Sequence, residues 1–317
     1  MSATVATKKI LVTGAAGYIG SVLVPELLRH GHAVTAVDNF MYHQTSLLDC
    51  CHDEGLTIVR GDVRDTELMR PLLAGADAVI PLACLVGAPV CAQKPLEARS
   101  INLNAVKALL DMSSRRQAFI LPITNSGYGL GEAGRVCTEA SPLRPLSLYG
   151  RLKVELEQHL LNSGHAISLR FATAFGISPR MRLDLLVNDF TYRAVTDRFI
   201  VLFEAHFKRN FIHVRDVARA FMHALDHFDR MQNEAYNVGL SDANLSKMEL
   251  CLEIRKQVPD FTIMEAPIGQ DPDQRDYMVS NAKIEATGFQ PQWSLPKGIA
   301  ELIKGYQIVQ RRQFSNV

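Results

Sequence analysis

The first predicted strand of the chain runs into a glycine-rich turn, and this feature constrains the fold more than any other. Gly14-Ala-Ala-Gly17-Tyr18-Ile19-Gly20 follows a strand predicted over Lys9–Thr13 and opens a helix predicted from Tyr18 to His30. Small residues at such a turn let backbone amides and the positive end of a helix approach a pyrophosphate. Glycines at a tight turn also have a purely structural use, so the motif needs support from its surroundings.

Short β-rich runs alternate with helical patterns through the first half of the chain. After the first strand and helix, strands are predicted at Ala33–Asp38, Thr57–Gly61, Ala78–Leu82, Phe119–Thr124 and Ala166–Ala172, and helices at Asp65–Leu73, Ala98–Met112 and Leu148–Asn162. Strands separated by helices indicate βαβ crossovers and a parallel sheet covered on both faces. We therefore expect an α/β fold, a Rossmann doubly wound parallel sheet with a smaller, discontinuous C-terminal domain.

The end of the second predicted strand supports a dinucleotide as the ligand of the glycine turn. A carboxylate at Asp38 can accept hydrogen bonds from the hydroxyls of a ribose, with Asn39 beside it. The same carboxylate repels a 2′-phosphate. The sequence therefore predicts NAD rather than NADP.

The next two strands end in residues that suit the rest of such a cofactor. Asp62, followed by Val63, can receive an adenine amino group, although an Asp here also fits the cap of a turn or helix. Leu82 and Ala83 end the fourth strand beside the expected nicotinamide, where small residues leave room for the ring.

Tyr149 and Lys153 are four residues apart on a predicted helix, so their side chains share a face. Such pairs often occur by chance, but this one follows a strand that ends at Thr124 inside a dinucleotide-binding pattern. A tyrosine is a poor base near pH 7 unless a cation lowers its pKa, and we expect Lys153 and the nicotinium charge to do so. Thr124 can then hold a substrate hydroxyl.

The regular alternation of strands and helices becomes less clear beyond Gly176, and we place the end of the first domain there. A cofactor domain is expected over residues 1–175, with 209–239 returning to it through a strand at Phe211–Val214 and a helix at Arg215–Phe228. The remainder, 176–208 and 240–317, is expected to bind the substrate and to end in a helix near Lys297–Val309.

Charge and composition exclude several classes of protein. Thirty-four Lys and Arg against 33 Asp and Glu give a net charge of +1, which leaves no broad positive field for nucleic acid or an anionic membrane. The longest uncharged run, Ala78–Ala92, is too short and too broken by proline to span a bilayer. The six cysteines lack a disulfide framework, and Met1–Lys9 lacks an apolar signal segment, so a reducing cytoplasmic location is expected. His206 and His213 lack metal-ligand spacing, and no metal is assigned.

The sequence resembles the extended short-chain dehydrogenase/reductases that act on nucleotide sugars, namely epimerases, 4,6-dehydratases and 4-dehydrogenases. The likeness covers nearly the whole chain and rests on the glycine motif, Tyr149-x-x-x-Lys153, Thr124, Asn102, Arg209, His213-Val-Arg-Asp216 and Arg275-Asp276. It implies that Thr124, Tyr149 and Lys153 form the catalytic triad and that C-terminal arginines hold the substrate diphosphate. Dehydratases of the family carry an Asp-Glu pair directly after the Thr. This chain has Asn125-Ser126, which cannot supply an acid and a base, so 4,6-dehydration is disfavoured.

A narrower likeness is to the GDP-D-glycero-D-manno-heptose 4-dehydrogenases of bacterial capsular heptose pathways. It is carried by Leu85–Cys91, which includes Val86, and by Thr124–Gly129, Ser178–Tyr192, which includes Asn188, and Phe199–Glu204. It implies oxidation of the C4 hydroxyl to a 4-keto sugar, with substrate contacts from Val86, Asn125, Ser126 and Asn188. The nearest alternative is a 4-epimerase that uses the same residues. A catalytically silent NAD-sensing regulator is disfavoured because Tyr149 and Lys153 are both present.

Four arginines are candidate contacts for the diphosphate and base of the substrate. In a chain with a net charge of only +1, a GDP group needs local cations, and guanidinium forks match phosphate oxygens. A solvated surface explains any one of them equally well. The candidates are Arg180, Arg182, Arg209 and Arg275.

The helices Ala98–Met112 and Leu148–Asn162 are apolar enough to carry an interface. Equivalent helices pair as a four-helix bundle in the family that the chain resembles, which implies a homodimer. Packing on the sheet is the alternative explanation for the same apolar faces.

Overall fold

A computed structural model describes residues 7–132, 134–267 and 275–309. Fourteen strands are found in these ranges: β1 Lys9–Thr13, β2 Ala33–Asp38, β3 Leu56–Arg60, β4 Ala78–Pro81, β5 Ala118–Thr124, β6 Val136–Cys137, β7 Ala166–Phe171, β8 Thr173–Phe175, β9 Phe199–Leu202, β10 Lys208–His213, β11 Ala235–Val238, β12 Asn244–Ser246, β13 Thr262–Glu265 and β14 Met278–Val279.

Twelve α-helices occur in the same ranges. They are α1 Gly20–Arg29, α2 Thr66–Ala74, α3 Ala88–Gln93, α4 Pro95–Arg99, α5 Val106–Met112, α6 Leu148–Leu161, α7 Leu186–Thr196, α8 Val214–Asp226, α9 Phe228–Met231, α10 Lys247–Arg255, α11 Ala282–Glu285 and α12 Leu295–Gly305. A π-helical turn at Ser100–Ala105 joins α4 to α5, and 3₁₀ turns lie at Leu48–Cys50 and Asn125–Tyr128.

Seven strands form one parallel sheet in the order β3-β2-β1-β4-β5-β7-β11. The chain builds outward from β1 to β3 and then crosses back to place β4 on the other side of β1. The strand order therefore reverses between β1 and β4, where doubly wound sheets open a crevice at the carboxyl ends of their strands. The predicted Rossmann fold is confirmed.

Successive side chains of the strands point to opposite faces of the sheet, and each face packs into its own apolar core. On one face, Ile10 and Val12 pack with α1 and α8, and on the other Leu11 packs with α2, α5 and α6. This arrangement explains why the strands read as continuous apolar runs, because a parallel sheet buried on both faces has no polar side.

A separate core fills the second half of the chain. It joins α7, β9, α10 and α12 through Val187, Ile200, Leu250 and Ile299. Around it lie a three-stranded sheet of order β12-β10-β8 and a two-stranded sheet of β13 and β9.

Three predicted elements differ from the structure. The helix predicted over 98–112 is interrupted by the π-helical turn, which carries Asn102, and the uncharged run after β4 contains the short helix α3. The strand expected at 211–214 is β10, which pairs with β8 and β12 rather than with the main sheet. Helix α8 and strand β11 do join the main sheet and its core. The domain boundaries stay a prediction, and their parts at 1–6, 133, 268–274 and 310–317 lie outside the described residues.

A buried ion pair fastens α6 to the sheet behind Tyr149 and Lys153. Arg170 of β7 donates through Nε and Nη2 to Glu157 of α6, at 3.0 and 2.8 Å, and both side chains are almost fully buried. Glu157 also accepts a hydrogen bond from Ser168, and Arg170 donates to the hydroxyl of Tyr128 at 2.9 Å. Each partner is thus fully hydrogen-bonded, which a buried charge requires.

Arg170→Met is expected to lower the free energy of unfolding by about 3–5 kcal/mol, because it leaves the carboxylate of Glu157 buried without its cation. Urea denaturation followed by circular dichroism measures the change. Arg29→Met, which removes the exposed partner of Glu26 in α1, is the matched control and should cost no more than about 0.5 kcal/mol. Equal losses in the two variants would contradict the assignment.

Candidate active site

The principal cleft of the described chain opens at the carboxyl ends of β1, β4 and β5 and has a volume of about 1410 Å³. Its walls carry residues of both halves of the chain. Of the residues singled out from the sequence, the following line it: Gly14, Gly17, Tyr18, Ile19, Gly20, Asp38, Asn39, Asp62, Val63, Leu82, Ala83, Val86, Thr124, Ser126, Tyr149, Lys153, Arg180, Arg182, Arg209 and Arg275.

The glycine turn lies directly under the end of β4. Gly14 adopts φ +65°, and a Cβ there would stand 2.5 Å from the backbone nitrogen of Ala83. A Cβ on Gly20 would stand 2.4 Å from the carbonyl oxygen of Ala15. Only glycine fits at these two positions, so the turn and the start of α1 expose backbone at the floor of the cleft.

Asp38 is fixed at the end of β2 by three hydrogen bonds. Its carboxylate accepts from the backbone nitrogens of Ala16 and Phe40, at 3.0 and 2.8 Å, and from Gln44 Nε2 at 3.1 Å. Burial raises the pKa of Asp38, while the two backbone donors lower it. The bond to Ala16 ties the carboxylate to the glycine turn.

The carboxylate of Asp62 forms an ion pair with the exposed Arg64. Arg64 donates through Nε at 2.9 Å and Nη2 at 2.5 Å, and its backbone nitrogen donates at 2.9 Å to Oδ1. The hydrogen bonds from Arg64 lower the pKa of Asp62. Asp65 caps helix α2, so Asp62 is not the helix cap, and its bond from the nitrogen of Arg64 is that of a turn cap.

Asn102 holds the loop that follows β4. Its side chain, buried in the π-helical turn, accepts from the nitrogen of Leu85 at 2.8 Å and donates to the carbonyl of Leu85 at 2.9 Å. The paired bonds fix Leu85 between Ala83 and Val86, two lining residues of the cleft. Sequence reasoning gave Asn102 no role beyond its part in the family likeness.

Thr124 ends β5 and is linked to Arg275 through Ser126. The Thr124 hydroxyl accepts from the nitrogen of Ser126 at 3.1 Å and donates to the Ser126 hydroxyl at 2.9 Å. Arg275 in turn donates to that hydroxyl. The C-terminal arginine therefore lies beside the hydroxyl groups of β5.

Tyr149 and Lys153 share a face of α6, as predicted, and both line the cleft. Lys153 is buried and donates to the carbonyl of Pro122 in β5 at 3.1 Å. Burial raises the pKa of Tyr149, the thiols of Cys84 and Cys91 add to the rise, and Arg182 and Arg275 oppose it. We expected Lys153 and the nicotinium charge to lower the pKa of Tyr149, but in the chain alone burial raises it, and the cations that oppose the rise are Arg182 and Arg275.

The four candidate arginines divide between different parts of the cleft. Arg182 forms a fork with Asp184, at 2.5 and 3.1 Å, and acts electrostatically on Tyr149. Arg209 is buried, with its guanidinium 5.8 Å from the centre of the Tyr277 ring. Arg180 instead lies 4.8 Å above the ring of Tyr42, on the side of Asp38.

Two predicted substrate contacts do not reach the cleft wall in the described chain. Asn188 is fully buried and uses its amide to accept from Gly176 at 2.9 Å and to donate to the carbonyl of Arg182 at 2.8 Å. Asn125 is also buried, and neither atom of its amide has a hydrogen-bond partner among the described residues. Asn188 therefore positions the backbone behind the cleft, and direct contact of either amide with a ligand has no support from the geometry.

Sequence reasoning missed several lining residues that come from segments without a motif. Lys247, the first residue of α10, is buried in the wall and donates to the carbonyl of Phe203 at 2.7 Å. Tyr42 also lines the cleft. The sequence signal for Lys247 is its place inside the Ser246-x-x-Glu249 capping box. A positive charge is not needed at the start of a helix, so a lysine there suggests another role.

The described residues contain no cluster of three or more His, Cys, Asp or Glu side chains able to hold a metal ion. His213 is buried, bonds Glu301 at 2.8 Å and stacks on Trp293. Within the same described ranges, no helix has both the length and the apolar character to cross a bilayer. All six cysteines are free thiols.

Comparison with known proteins identifies the family. The model of the NAD dependent epimerase/dehydratase family matches residues 10–239. The low-salt glycan biosynthesis protein Agl12 of Haloferax volcanii is 28% identical over 94% of this chain and 98% of its own length. The crystal structure of Thermus thermophilus UDP-glucose 4-epimerase complexed with NAD superposes with a TM-score of 0.80 at 25% identity, over 95% of this chain and all of that one. MoeE5 in complex with UDP-glucuronic acid and NAD gives a TM-score of 0.79 at 27% identity, over 94% of this chain and 98% of that one.

These matches agree with the reversed strand order, the glycine turn and the Tyr149–Lys153 pair, and they extend over most of the chain. The protein belongs to the NAD dependent epimerase/dehydratase family.

Proposed function

We propose that the protein is a nucleotide-sugar 4-dehydrogenase, which oxidises the C4 hydroxyl of its substrate to a ketone with NAD. The observation that carries the proposal is a single cleft with two chemically distinct ends. Asp38 and the glycine turn line one end, and Thr124, Tyr149 and Lys153 line another part of it. Such a cleft suits a dinucleotide that meets a second ligand at a group able to remove a proton.

The residues present fit NAD. A Cβ at Gly14 or Gly20 would meet the backbone of Ala83 or Ala15, so these glycines permit the tight turn that brings backbone amides and the start of α1 to the cleft, where a pyrophosphate can bind. The carboxylate of Asp38, ordered by the nitrogens of Ala16 and Phe40, has the position and charge to accept ribose hydroxyls. Leu82 and Ala83 supply the apolar wall above the turn.

The proposed chemistry requires a proton acceptor and a fixed substrate hydroxyl. NAD, when bound, accepts a hydride from the carbon that bears the hydroxyl. Tyr149 takes the hydroxyl proton as the phenolate, and Thr124 holds the reacting oxygen through the hydroxyl that it now donates to Ser126. Lys153, tethered to the carbonyl of Pro122, keeps a positive charge on the same helix face as the phenol.

The substrate that we propose is a GDP-linked heptose, GDP-D-glycero-D-manno-heptose. Support comes from the sequence likeness over 178–192 and 199–204, segments that contain β9 and the start of α7 in the second core. Arg209 and Lys247 add buried positive groups to the cleft wall, where a diphosphate needs cations. We further propose a homodimer formed by the α4–α5 segment and α6, which Arg99 and Lys107 already link through Glu155.

A 4-epimerase is the second candidate, and the relatives favour testing it. The Thermus protein is named as a UDP-glucose 4-epimerase, and MoeE5 was solved in complex with UDP-glucuronic acid. An epimerase uses the same Tyr, Lys and Thr, and it differs in returning the hydride to the opposite face of the ketone. Product analysis therefore separates the candidates, whereas mutation of the shared residues does not.

Tyr149→Phe is expected to lower turnover by about 10²- to 10⁴-fold, because it removes the oxygen that accepts the proton. NAD affinity should stay close to that of the unmodified protein. Steady-state kinetics and calorimetry measure the two effects. Tyr236→Phe, in β11 on the far side of the sheet, is the matched control and should turn over normally. Near-normal turnover of Tyr149→Phe would move the base elsewhere.

Asp38 is expected to set the preference for NAD over NADP. Asp38→Asn keeps the shape of the side chain and removes its charge. It should therefore lower the ratio of NAD affinity to NADP affinity by about 10-fold or more. Asp49→Asn, which removes an exposed carboxylate in the 3₁₀ turn of the same connection between β2 and β3, should leave the ratio unchanged. Calorimetry with both cofactors measures it. Equal affinity of the unmodified protein for NAD and NADP would show that the assignment of Asp38 is wrong.

Incubation with GDP-D-glycero-D-manno-heptose is expected to give a 4-keto sugar nucleotide and reduced cofactor. ¹H NMR of the product, with borodeuteride trapping, should find deuterium at C4. A C4 stereoisomer without trapped ketone would favour the epimerase. Activity on UDP- or dTDP-sugars alone would contradict the heptose assignment. A product lighter by one water would contradict the prediction, made from Asn125 and Ser126, that the protein is not a dehydratase.

A further inference from the structure

Two thiols meet at one backbone oxygen in the loop that follows β4. The thiol of Cys84 donates to the carbonyl of Leu85 at 3.4 Å, and the thiol of Cys91, in α3, donates to the same oxygen at 3.3 Å. The two sulfurs therefore cannot be farther apart than the sum of these distances. Asn102 completes the group, because its amide nitrogen donates to that oxygen at 2.9 Å and lies 3.7 Å from Cys91 Sγ.

The two thiols differ in their access to solvent. Cys84 is partly exposed and lines the cleft, whereas Cys91 is fully buried. A reagent that enters the cleft therefore reaches Cys84 first and finds Cys91 behind it. A reactive thiol and a resolving thiol have this order, in which the first is oxidised and the second closes the disulfide.

The charges around Cys84 come from the side of the cleft that carries the Tyr149–Lys153 pair. Burial raises the pKa of Cys84, and the ammonium of Lys153 and the guanidinium of Arg182 oppose this rise. Burial also raises the pKa of Cys91, to about 11. Both groups are therefore thiols near pH 7, and the thiolate that reacts with an oxidant is a minor form whose share grows with pH.

The loop between the two cysteines contains a glycine with open space around it. Gly87 has φ +100°, and the atom nearest to the position of a Cβ there is Cδ of Pro89, at 3.9 Å. A disulfide needs its sulfurs about 2.0 Å apart and its Cβ atoms about 3.8 Å apart, which is closer than two thiols in contact. We therefore expect disulfide formation to shift residues 85–90, and a glycine within them permits such a shift.

We propose that Cys84 and Cys91 are a modification site, at which an oxidant of the peroxide class forms a disulfide that weakens cofactor binding. The thiolate of Cys84 attacks one oxygen of hydrogen peroxide, so that an S–O bond forms, the O–O bond breaks, and a sulfenic acid and one water result. The sulfur of Cys91 then attacks the sulfur of Cys84. The S–O bond breaks, and the departing oxygen leaves as a second water with the proton of Cys91. Two thiols are thus oxidised to one disulfide, and one peroxide is reduced to two waters.

The loop that the disulfide shifts forms part of the cleft wall. Leu82 and Ala83, which precede Cys84, and Val86, which follows it, all line the cleft. Drawing the sulfurs together therefore moves a wall of the site that takes NAD. Because binding free energies are reciprocal, bound cofactor in turn opposes formation of the disulfide. The proposal rests on NAD binding and not on the sugar or on the reaction.

Oxidation of the purified chain in the absence of any sugar tests the proposal. Hydrogen peroxide should make the peptide that contains both cysteines lighter by two hydrogen atoms in mass spectrometry, and dithiothreitol should restore its mass. Fluorescence titration should give an NADH affinity about 10-fold or more weaker for the oxidised protein, and saturating NADH should slow the oxidation by a similar factor. The rate of oxidation should rise about 10-fold for each unit of pH near neutrality, because the thiolate is a minor form there.

Single variants separate the roles of the two thiols. Cys91→Ala should stop at the sulfenic acid of Cys84, which dimedone captures, and Cys84→Ala should leave Cys91 reduced, because Cys91 is buried. Cys51→Ala, which removes an exposed thiol, is the matched control and should respond to peroxide as the unmodified protein does. Cys84→Ser takes the place of Cys84→Ala if that variant unfolds at a lower urea concentration.

The alternative is that both thiols serve only as small packing groups of the loop. A disulfide between any other cysteines, or reduced Cys84 and Cys91 after the exposed thiol has been oxidised, would support that alternative and overturn the proposal. A disulfide between Cys84 and Cys91 that leaves NADH affinity unchanged would contradict its effect on the cofactor. Failure of the sugar assignment would change none of these measurements, so the two hypotheses are tested separately.

Discussion

The close approach of Gly14 to Ala83 is the constraint on which the rest of the site depends. Strands β1 and β4 lie side by side where the strand order reverses, and the backbone of the turn after β1 passes under the end of β4 with no room for a Cβ. Any side chain at position 14 would push the strands apart at the point where the cleft opens. The fold and the cofactor site therefore share one steric requirement, and a substitution there cannot affect one without the other.

The residues that we propose as reacting groups are held by a second layer of hydrogen bonds that tie separate elements to the sheet. Asn102 clamps the loop after β4, Lys153 is tethered to β5, and Glu157 with Arg170 fastens the same helix to β7. These contacts join elements distant in sequence, and the last two fasten the helix of Tyr149 to neighbouring strands of the sheet. The proton transfer that we propose needs this rigidity, because small displacements at the reacting atoms reduce the rate strongly.

The sequence predicted what local chemistry determines and missed what depends on long-range packing. Asp38 was found because a carboxylate at a strand end has a recognisable position, and the bounds of β1 and β2 agree with the structure because buried parallel strands read as apolar runs. The interruption of the helix at Asn102 was missed, since its cause is a backbone partner 17 residues earlier at Leu85. Asn188 was assigned to the ligand because its segment resembled a substrate site, but its amide serves Gly176 and Arg182. No periodicity reports which end of a cleft an arginine faces.

The electrostatics of Tyr149 connect the two halves of the chain. Burial disfavours the phenolate of Tyr149, and the thiols of Cys84 and Cys91 add to the rise of its pKa. The cations Arg182 and Arg275 oppose that rise. Both cations come from beyond β8, outside the seven-stranded sheet that carries the glycine turn. The ionisation of the base that we propose therefore depends on both halves of the chain.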